Sequence, residues 1–307
     1  MVVKPDRALS SDWTRLTKVK FGYLTLNHSE GILPADLGPE LEQRGFDSIW
    51  VPEHSHIPVS RQTPYPGGGE LPDGYWHNMD PFVSLTSAAA ATENLLLYTG
   101  VCLLLEHDLL DLACTTATLD VIAQGRLRLG IGVGWNEEEL ANHRPDIPFS
   151  KRYSAMKQRV QALRLIWAED EPSYSGTWDS FTKSWVYPKP VNRSIPVAMG
   201  NAGPVGIDHV AAYGDEWCPI DASLAVGEGG VKGGFDQFWA KLEAADRDPA
   251  GVPVTIFMMA PKADRIAQYA ELGAERVVFF PPTMHRHNAD ATLEYLDQLQ
   301  DVIGSYQ

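Results

Sequence analysis

The apolar residues of this chain fall into short runs that are separated by polar, turn-rich segments. Runs of this length with branched or aromatic residues predict buried β-strands. The run at 95–105 has no polar face, which is typical of a parallel strand covered on both sides. Eight strands are predicted in this way, at 19–26, 46–51, 95–105, from 126 onward, and at 195–199, 216–220, 254–259 and 276–280.

Helical patterns alternate with these strands. Gly45 is a helix stop and Pro81 suits a first helical turn. Helices are predicted at 35–44, 80–92, 110–123, 152–168, 205–213, 235–246, 264–272 and 293–303. Repeated strand-then-helix units favour a parallel sheet, and eight of them favour a closed (β/α)8 TIM barrel of the α/β class. We expect an N-terminal extension over 1–18 and one barrel domain over 19–307. Long insertions follow the second and fourth strands, at 57–79 and 173–190.

Composition narrows the partners that the chain can have. The formal net charge of the 307 residues is -15, which disfavours nucleic acid because such surfaces carry excess positive charge. Cys102, Cys114 and Cys218 are odd in number and widely spaced, so we expect no disulfide framework and a cytoplasmic location. No run of about 18 apolar residues occurs, so no membrane span is predicted. The expected partner is a small molecule.

The stretch at 126–139 has the most unusual local pattern, a strand that ends in alternate glycines and then an acidic helix start. Gly130, Gly132 and Gly134 lack the spacing of the dinucleotide-binding fingerprint. The three glutamates at 137–139 suit the positive end of a helix, and we interpret them as a solvated helix start. Gly227–Gly234 is a second glycine-rich stretch, which predicts a loop.

In a barrel the loops after the strands share one face, where the active site lies. The candidate residues in those loops are Glu53, His54 and His56, then Gly100 and Val101, then Val133, Gly134 and Asn136, and then Gly200, Asn201, Ala202 and Gly203. The glycine-rich turns and the helix start after Gly203 suit a phosphorylated ligand, which backbone N–H groups can hold. Zinc needs three or four ligands, and spacing places no third beside His54 and His56, so no metal site is predicted.

Several of these segments resemble a known family, in consistent order along the chain. The segments at 45–54, 99–101, 125–139, 187–191, 195–204 and 214–217 resemble the luciferase-like monooxygenase superfamily, particularly its branch that uses the deazaflavin coenzyme F420. The resemblance implies a TIM barrel with a flavin-type cofactor on its carboxyl face. It implies a cis peptide bond between Gly100 and Val101 behind the cofactor ring. It also implies that the cofactor's phosphate arm lies over 200–203 and near Val133, Gly134 and Asn136.

The resemblance also suggests a reaction. His54 matches the position where deazaflavin-dependent relatives keep a histidine beside the ring, and Glu53 precedes it. We therefore hypothesise hydride transfer between F420 and a small organic substrate, with His54 as proton donor or acceptor and Glu53 as a second catalytic candidate. A homodimer is implied by the family.

Other functions stay open on the sequence alone. The same site with FMN in place of F420 could support an FMNH2-dependent monooxygenase. The barrel could instead be a non-catalytic flavin- or deazaflavin-binding protein. The histidines alone suggest a metal-dependent hydrolase. The aromatic residues of the two insertions favour an apolar or ring-bearing substrate; they are Tyr65, Tyr75, Trp76, Trp178, Phe181 and Trp185.

Overall fold

The strands form the inner layer of the molecule. Within residues 19–306, the part of the chain that the computed structural model describes, they are β1 (Lys20–Leu24), β2 (Ser48–Val51), β3 (Leu96–Thr99), β4 (Cys102–Leu103), β5 (Leu127–Gly132), β6 (Tyr174–Ser175), β7 (Ser180–Phe181), β8 (Val197–Met199), β9 (Glu216–Trp217), β10 (Thr255–Met259) and β11 (Arg276–Phe279). The predicted extension over 1–18 lies outside these residues.

Eight of these strands close into a barrel. They pair in the order β10–β11–β1–β2–β3–β5–β8–β9, and every pairing is parallel. Parallel bridges between Trp217 and Val254 and between Ile220 and Phe257 join β9 to β10 and complete the ring. The structure therefore confirms the predicted (β/α)8 TIM barrel.

The helices form the outer layer. They are α1 (Pro34–Gln43), α2 (Pro81–Ala91), α3 (Leu109–Ile122), α4 (Glu137–His143), α5 (Arg152–Ala168), α6 (Pro204–Tyr213), α7 (Asp221–Val226), α8 (Gly230–Ala244), α9 (Ala263–Glu271) and α10 (Ala289–Gly304). Each long helix follows a barrel strand and packs an apolar stripe on it, as Leu37 and Leu41 of α1 do. In this described range, no helix combines the length and apolarity needed to cross a bilayer.

A buried polar network fills the amino-terminal end of the barrel. Arg276 at the start of β11 donates to Asp47 at 2.9 Å and to Glu216 at 3.2 Å, and Tyr98 donates to Glu216 at 2.9 Å. Each buried charge therefore has a partner, which avoids the desolvation cost of an isolated one. Because these side chains fill the amino-terminal end of the barrel, a ligand can bind only at the carboxyl end.

The apolar run at 95–105 is not one strand, contrary to the prediction. β3 ends at Thr99, β4 is only Cys102–Leu103, and Leu104–Glu106 forms a 3₁₀ turn. β4 pairs with β5 and continues past the break at Gly100 and Val101. A continuous apolar run indicates burial but not secondary structure. Here the buried run contains two strands, the break between them and a 3₁₀ turn.

The predicted loop Gly227–Gly234 is largely helical, and α7 before it was not predicted. α8 starts at Gly230, after Gly229 in the left-handed region. A Cβ at Gly233 would lie 2.2 Å from Glu228 O, and one at Gly234 would lie 2.5 Å from Leu224 Cδ2. Glycine here permits close contact between α7 and α8. A glycine-rich stretch can therefore indicate closely packed helices as well as a loop.

Candidate active site

Two cavities meet at the carboxyl end of the barrel, and the peptide bond between Gly100 and Val101 forms part of the wall of both. This bond is cis, as the resemblance implied. Gly100 N donates to Val51 O at 2.7 Å, so the end of β2 fixes its position. Ligands in the two cavities would therefore meet at this bond.

The larger cavity, the glycine-rich cavity, is lined by glycine backbone together with apolar side chains such as Trp50 and Phe257, and has a volume of about 580 Å³. Of the predicted residues, it is lined by Gly100, Val101, Gly200, Asn201, Ala202 and Gly203. Gly130 and Gly132 also line it. A Cβ at Gly130 would lie 2.0 Å from Thr99 O, and one at Gly132 would lie 2.6 Å from Val101 Cγ2. Glycine is therefore required at these two positions, because a Cβ would collide with Thr99 or Val101.

The start of α6 forms one end of the glycine-rich cavity. Gly203 is the N-cap and has no side-chain cap, and Pro204 occupies the first turn. Asn201 accepts from Gly203 N at 2.8 Å and donates to the Tyr153 hydroxyl at 2.6 Å, which fixes the turn. The remaining first-turn N–H groups and the helix dipole suit an anion. This geometry fits the phosphate end of a flavin-type cofactor.

The smaller cavity, the aromatic cavity, has a volume of about 300 Å³ and is walled by side chains. The insertion at 57–79, which we call the lid, supplies Gly74 and Tyr75 to it, and the loop after β5 supplies Trp135. The Tyr75 and Trp135 rings meet edge to face, with centroids 6.4 Å apart. The same cavity contains Glu53 and His54 in its wall. The predicted histidine therefore lies at a ligand-sized space.

His54 is held by the carboxylate of Glu139, a residue that the sequence pattern predicted to be exposed to solvent. Its Nδ1 lies 2.9 Å from both carboxylate oxygens of Glu139. The side chains are 8% and 1% exposed. Glu139 is the third residue of α4, where the turn from β5 brings it under the end of β2. The prediction of a solvated helix start is therefore wrong for Glu139, whereas Glu137 is exposed as expected.

Glu53 contacts Leu103 and His107 through its two carboxylate oxygens. One oxygen accepts from Leu103 N at 2.6 Å, and the other lies 2.7 Å from His107 Nε2. Burial alone would lower the pKa of His107, but the hydrogen bond and charge of Glu53 raise it. Ligand atoms of Glu53, Cys102 and His107 also lie within 4.8 Å of one another. The buried contacts show that Glu53 ties β2 to β4 and to the turn that follows it.

A third buried carboxyl group lies behind these two pairs. Burial, together with the negative charges of Glu139 and Glu53, raises the pKa of Glu106 to about 9. The group is therefore neutral at physiological pH, which limits the negative charge behind His54. Glu106 lines a separate cavity with Trp178 and Phe181.

Two predicted cofactor residues line neither of the first two cavities. Asn136 is buried and caps α4, accepting from Glu139 N at 3.4 Å. Val133 packs against the main core. Gly134 is in the left-handed region at φ 73 and lines the aromatic cavity instead of the glycine-rich one. Of the three residues predicted from this turn, only Gly134 therefore reaches ligand space, and it does so in the aromatic cavity.

The two insertions contribute unequally to the site. The lid reaches the aromatic cavity, whereas the second insertion folds into the β6–β7 hairpin, whose Trp178 and Phe181 line the separate cavity near Glu106. Trp76 and Trp185 are exposed. Two further histidines lie in loops of the barrel. His56 bonds to Ser55 and Asn142 outside both cavities, and His285 is exposed.

The lid is anchored by two acidic side chains. Glu138 of α4 accepts from the Thr63 hydroxyl at 2.6 Å and from Gln62 N, and these bonds lower the pKa of Glu138 to about 2. Asp73 accepts from Arg286 N and Nε at 3.0 Å each. The backbone bond from Arg286 is the main cause that lowers the pKa of Asp73 to about 2.

Comparison with known proteins identifies the class. Residues 34–304 match the family model of the luciferase-like monooxygenases. The chain therefore belongs to the luciferase-like monooxygenase family, as its fold and cofactor-sized cavity suggest. Over 281 residues it is 37% identical to the uncharacterized protein Rv0953c of Mycobacterium tuberculosis, covering 90% of this chain and 96% of that one.

More distant relatives have two kinds of activity in their names. An F420-dependent glucose-6-phosphate dehydrogenase of Microbacterium testaceum is 28% identical over 190 residues, covering 61% of this chain and 52% of that one. The pyrimidine monooxygenase RutA of Allorhizobium ampelinum is 27% identical over 203 residues, covering 64% and 54%. This chain thus spans about half the length of either. The family includes F420-dependent dehydrogenases and monooxygenases.

Proposed function

We propose that this chain is an oxidoreductase that transfers a hydride between coenzyme F420 and a small organic substrate, with His54 moving the accompanying proton. The observation that carries the proposal is the buried pair of His54 and Glu139 at the wall of the aromatic cavity, beside Gly100 and Val101. A buried histidine oriented by a carboxylate at a ligand-sized cavity is suited to general acid–base catalysis.

The pairing decides which nitrogen of His54 can react. Because the Glu139 carboxylate can only accept when ionised, Nδ1 carries a proton and donates to it. Nε2 of the neutral ring is then an acceptor on the side of the ring opposite Glu139. When an alcohol is oxidised, Nε2 takes the hydroxyl proton and Glu139 stabilises the resulting imidazolium. In the reverse direction the imidazolium returns this proton to the carbonyl oxygen.

The remaining predicted residues act by positioning. Glu53 holds the end of β2 against β4 through Leu103 N and His107, and so fixes the residue that precedes His54 in the chain. Asn136 caps the helix that carries Glu139, and Val133 packs beneath the turn of Gly134. Loss of any of these contacts would move the proton-transfer pair relative to the cavity.

The glycine-rich cavity is the proposed cofactor site. Gly200, Asn201, Ala202 and Gly203 with the start of α6 would hold the phosphate arm, and Gly100 and Val101 would support the ring. A bound deazaflavin supplies the carbon centre that accepts or gives the hydride. The protein supplies a dry cavity and the proton.

A flavin-dependent monooxygenase is the competing function, and RutA among the relatives favours it. A phosphate arm would fit the same helix start in FMN and in F420, so the cavity alone gives no preference. The distinction therefore has to come from binding and from oxygen chemistry.

The decisive experiment is a titration of the purified chain with oxidised F420 and, separately, with FMN, followed by fluorescence quenching. Tight binding of F420 with weak binding of FMN is expected. A His54→Ala variant should then bind F420 within about twofold of wild type but lose about 10²- to 10⁴-fold in hydride transfer, the range typical of general acid–base groups. His56→Ala, at a histidine outside both cavities, is the matched control and should leave both unchanged. Preference for FMN would contradict the proposal.

We also propose that the chain forms a homodimer and is a cytoplasmic enzyme, on the strength of the family resemblance and the cysteine usage. Light scattering at micromolar concentration should give twice the chain mass of 33.9 kDa. A monomer mass would exclude the dimer.

A further inference from the structure

We propose that the aromatic cavity takes an uncharged, apolar alcohol or the corresponding ketone and excludes phosphorylated and carboxylated substrates. The inference rests on the proposed function, because it assigns the substrate class of the same site. It depends on the cavity's lining, the charges around it and the way its aromatic rings are held.

Only one ionisable side chain in the lining of the aromatic cavity has an atom available to bind a ligand. Glu53 and His54 are the only acidic or basic side chains among the lining residues. Both oxygens of Glu53 are engaged by Leu103 N and His107, so only His54 Nε2 is available. Asn78 donates to the carbonyl oxygens of Leu26 and Gly74. The apolar aliphatic side chains are Leu24, Leu26, Pro52, Val101, Leu103, Ile220, Met258 and Met284.

The two arginines that contact the lid or Trp135, Arg286 and Arg61, do not line the cavity. Arg286 lies beyond Met284 and is engaged by Asp73 and Glu30, at 3.0 and 2.7 Å. Arg61 lies 5.7 Å from the Trp135 ring centroid, donates to Thr63 O, and does not line the cavity. A buried anion without a partner is strongly disfavoured. The buried carboxylate of Glu139 behind His54 opposes it further.

The aromatic wall is preorganised and presents ring surface. The Tyr75 hydroxyl pairs with the Tyr65 hydroxyl at 3.1 Å, which satisfies it within the lid. The centroid of the His54 ring lies 5.4 Å from that of Tyr75, with the rings tilted, and 5.9 Å from that of Trp135, edge to face. Such aromatic walls favour aliphatic or ring-bearing groups.

Met258 contributes an apolar side chain to the lining of the aromatic cavity. It is a non-glycine residue at φ 55, at the point where the register of β10 against β11 shifts, and it lines the cavity. A left-handed backbone at such a residue is uncommon and clusters at ligand sites. With Met284 on the lid side, it gives the cavity two adaptable thioether walls.

The reaction balances with these groups alone and the proposed cofactor. The C–H bond of the carbinol carbon breaks and its electron pair leaves as hydride to an oxidised deazaflavin. The O–H bond breaks and its proton passes to His54 Nε2, and a C=O bond forms. One alcohol is oxidised and one cofactor molecule is reduced, and no further oxidant is needed.

The test compares matched substrates with F420 as acceptor. Cyclohexanol, 4-hydroxycyclohexanecarboxylate and glucose 6-phosphate differ in charge, and the first two share one ring. We expect kcat/KM for cyclohexanol to exceed that of the carboxylate by about 100-fold or more, since the carboxylate would be buried unpaired. Glucose 6-phosphate should not react. Equal or better turnover of either anion by the wild-type chain would overturn the proposal.

A charge-insertion variant sharpens the result. Met284→Lys places an ammonium group in the cavity wall and should reduce the preference about tenfold, by a gain on the carboxylate. Val59→Lys, at a fully exposed lid position outside the cavity lining, is the matched control and should keep the preference. If Met284→Lys still turns over cyclohexanol but gains nothing on the carboxylate relative to Val59→Lys, this wall does not contact the substrate, and the assignment fails.

A binding measurement separates this inference from the proposed function. Cyclohexanone and 4-oxocyclohexanecarboxylate are titrated into the chain, with and without F420, and thermal stabilisation is followed. Selective stabilisation by the neutral ketone without any turnover would support the substrate class and contradict hydride transfer. Stabilisation by neither ligand, together with no turnover of cyclohexanol, would overturn the substrate class whichever cofactor binds.

Discussion

The glycine-rich and aromatic cavities share a wall at Gly100 and Val101 but differ in their use of glycine. The lining of the first includes glycine backbone at positions where a Cβ would collide, as at Gly130 and Gly132. The second is formed by large side chains, of which Tyr75 comes from the lid. Backbone surface recognises a constant group through N–H donors, whereas side-chain surface can be changed one residue at a time. The difference suggests a fixed cofactor site beside an adjustable substrate site.

The largest expected effect concerns the pair of His54 and Glu139 at the wall of the aromatic cavity, which we propose to transfer the proton. Glu139→Gln keeps the shape of the side chain but removes the charge that, in this proposal, stabilises the His54 imidazolium and selects its tautomer. We expect hydride transfer to fall by roughly 10²-fold with F420 affinity unchanged. Single-turnover kinetics and fluorescence titration measure these two quantities, and a purely structural role would lower both.

Glu137→Gln is the control for this prediction, because Glu137 is exposed on the same helix turn. It should behave as wild type. If both variants lose activity equally, the loss comes from the start of α4 and not from the contact between Glu139 and His54.

A second prediction perturbs the glycine-rich cavity alone. A Cβ at Gly206 would lie 2.2 Å from Asn201 Cγ, which must then move away from Gly203 N and Tyr153. Gly206→Ala should weaken F420 binding by about tenfold, a loss comparable to one good hydrogen bond. The maximal rate at saturating F420 should be little changed, as fluorescence titration and kinetics can determine.

Gly251→Ala is the matched control, since nothing lies within 4 Å of a Cβ there. Its affinity for F420 should equal that of wild type. Unchanged affinity in Gly206→Ala would mean that the turn around Asn201 does not hold the cofactor.

The third prediction perturbs the aromatic cavity alone. Trp135→Leu removes ring surface that contacts Tyr75 and His54. We expect KM for cyclohexanol to rise several-fold, because apolar contact area is lost, while F420 affinity stays constant. A change in F420 affinity without a change in KM would reverse the assignment of the two cavities.

The sequence predicted the barrel and the backbone-built site better than the side-chain-built one. Alternating apolar runs and helices report burial directly, so the eight barrel strands were found, and glycine turns at 100 and 200–203 marked the first cavity. Glu139 was missed because a glutamate in a first helical turn has the same local pattern whether exposed or buried. The distinction arises only when the turn after β5 brings α4 under β2, a contact between residues 85 positions apart.

The lid illustrates the same limit. Its proline- and glycine-rich sequence predicted a long insertion, but its anchors join Asp73 to Arg286, which is 213 residues away along the chain. Nothing local to either residue indicates that partner. Trp178 and Trp185 in the second insertion looked equivalent to Tyr75 in composition, yet they lie elsewhere. Composition therefore identified the kind of side chain but not which insertion would reach the site.

The smallest expected effect concerns the anchor that holds the lid over the aromatic cavity. The pKa of Asp73 is lowered from 3.8 to about 2 in the folded chain. A depressed folded-state pKa contributes stability above the unfolded value, and this contribution is lost as pH falls from about 4 towards 2. Asp73→Asn removes the titration but can still accept one N–H. We expect it to lower the free energy of unfolding by a few tenths to about 1 kcal/mol at pH 5, because the carboxylate is partly exposed.

Urea unfolding between pH 5 and pH 3 measures this difference. The gap between wild type and Asp73→Asn should narrow as pH falls, because protonation gradually removes the same charge from the wild type. Glu70→Gln, at an exposed position of the same lid, should give no such gap. A gap independent of pH would mean that Asp73 acts through its neutral hydrogen bonds. The attachment of the lid would then not depend on the Asp73 charge, and acid would leave it in place.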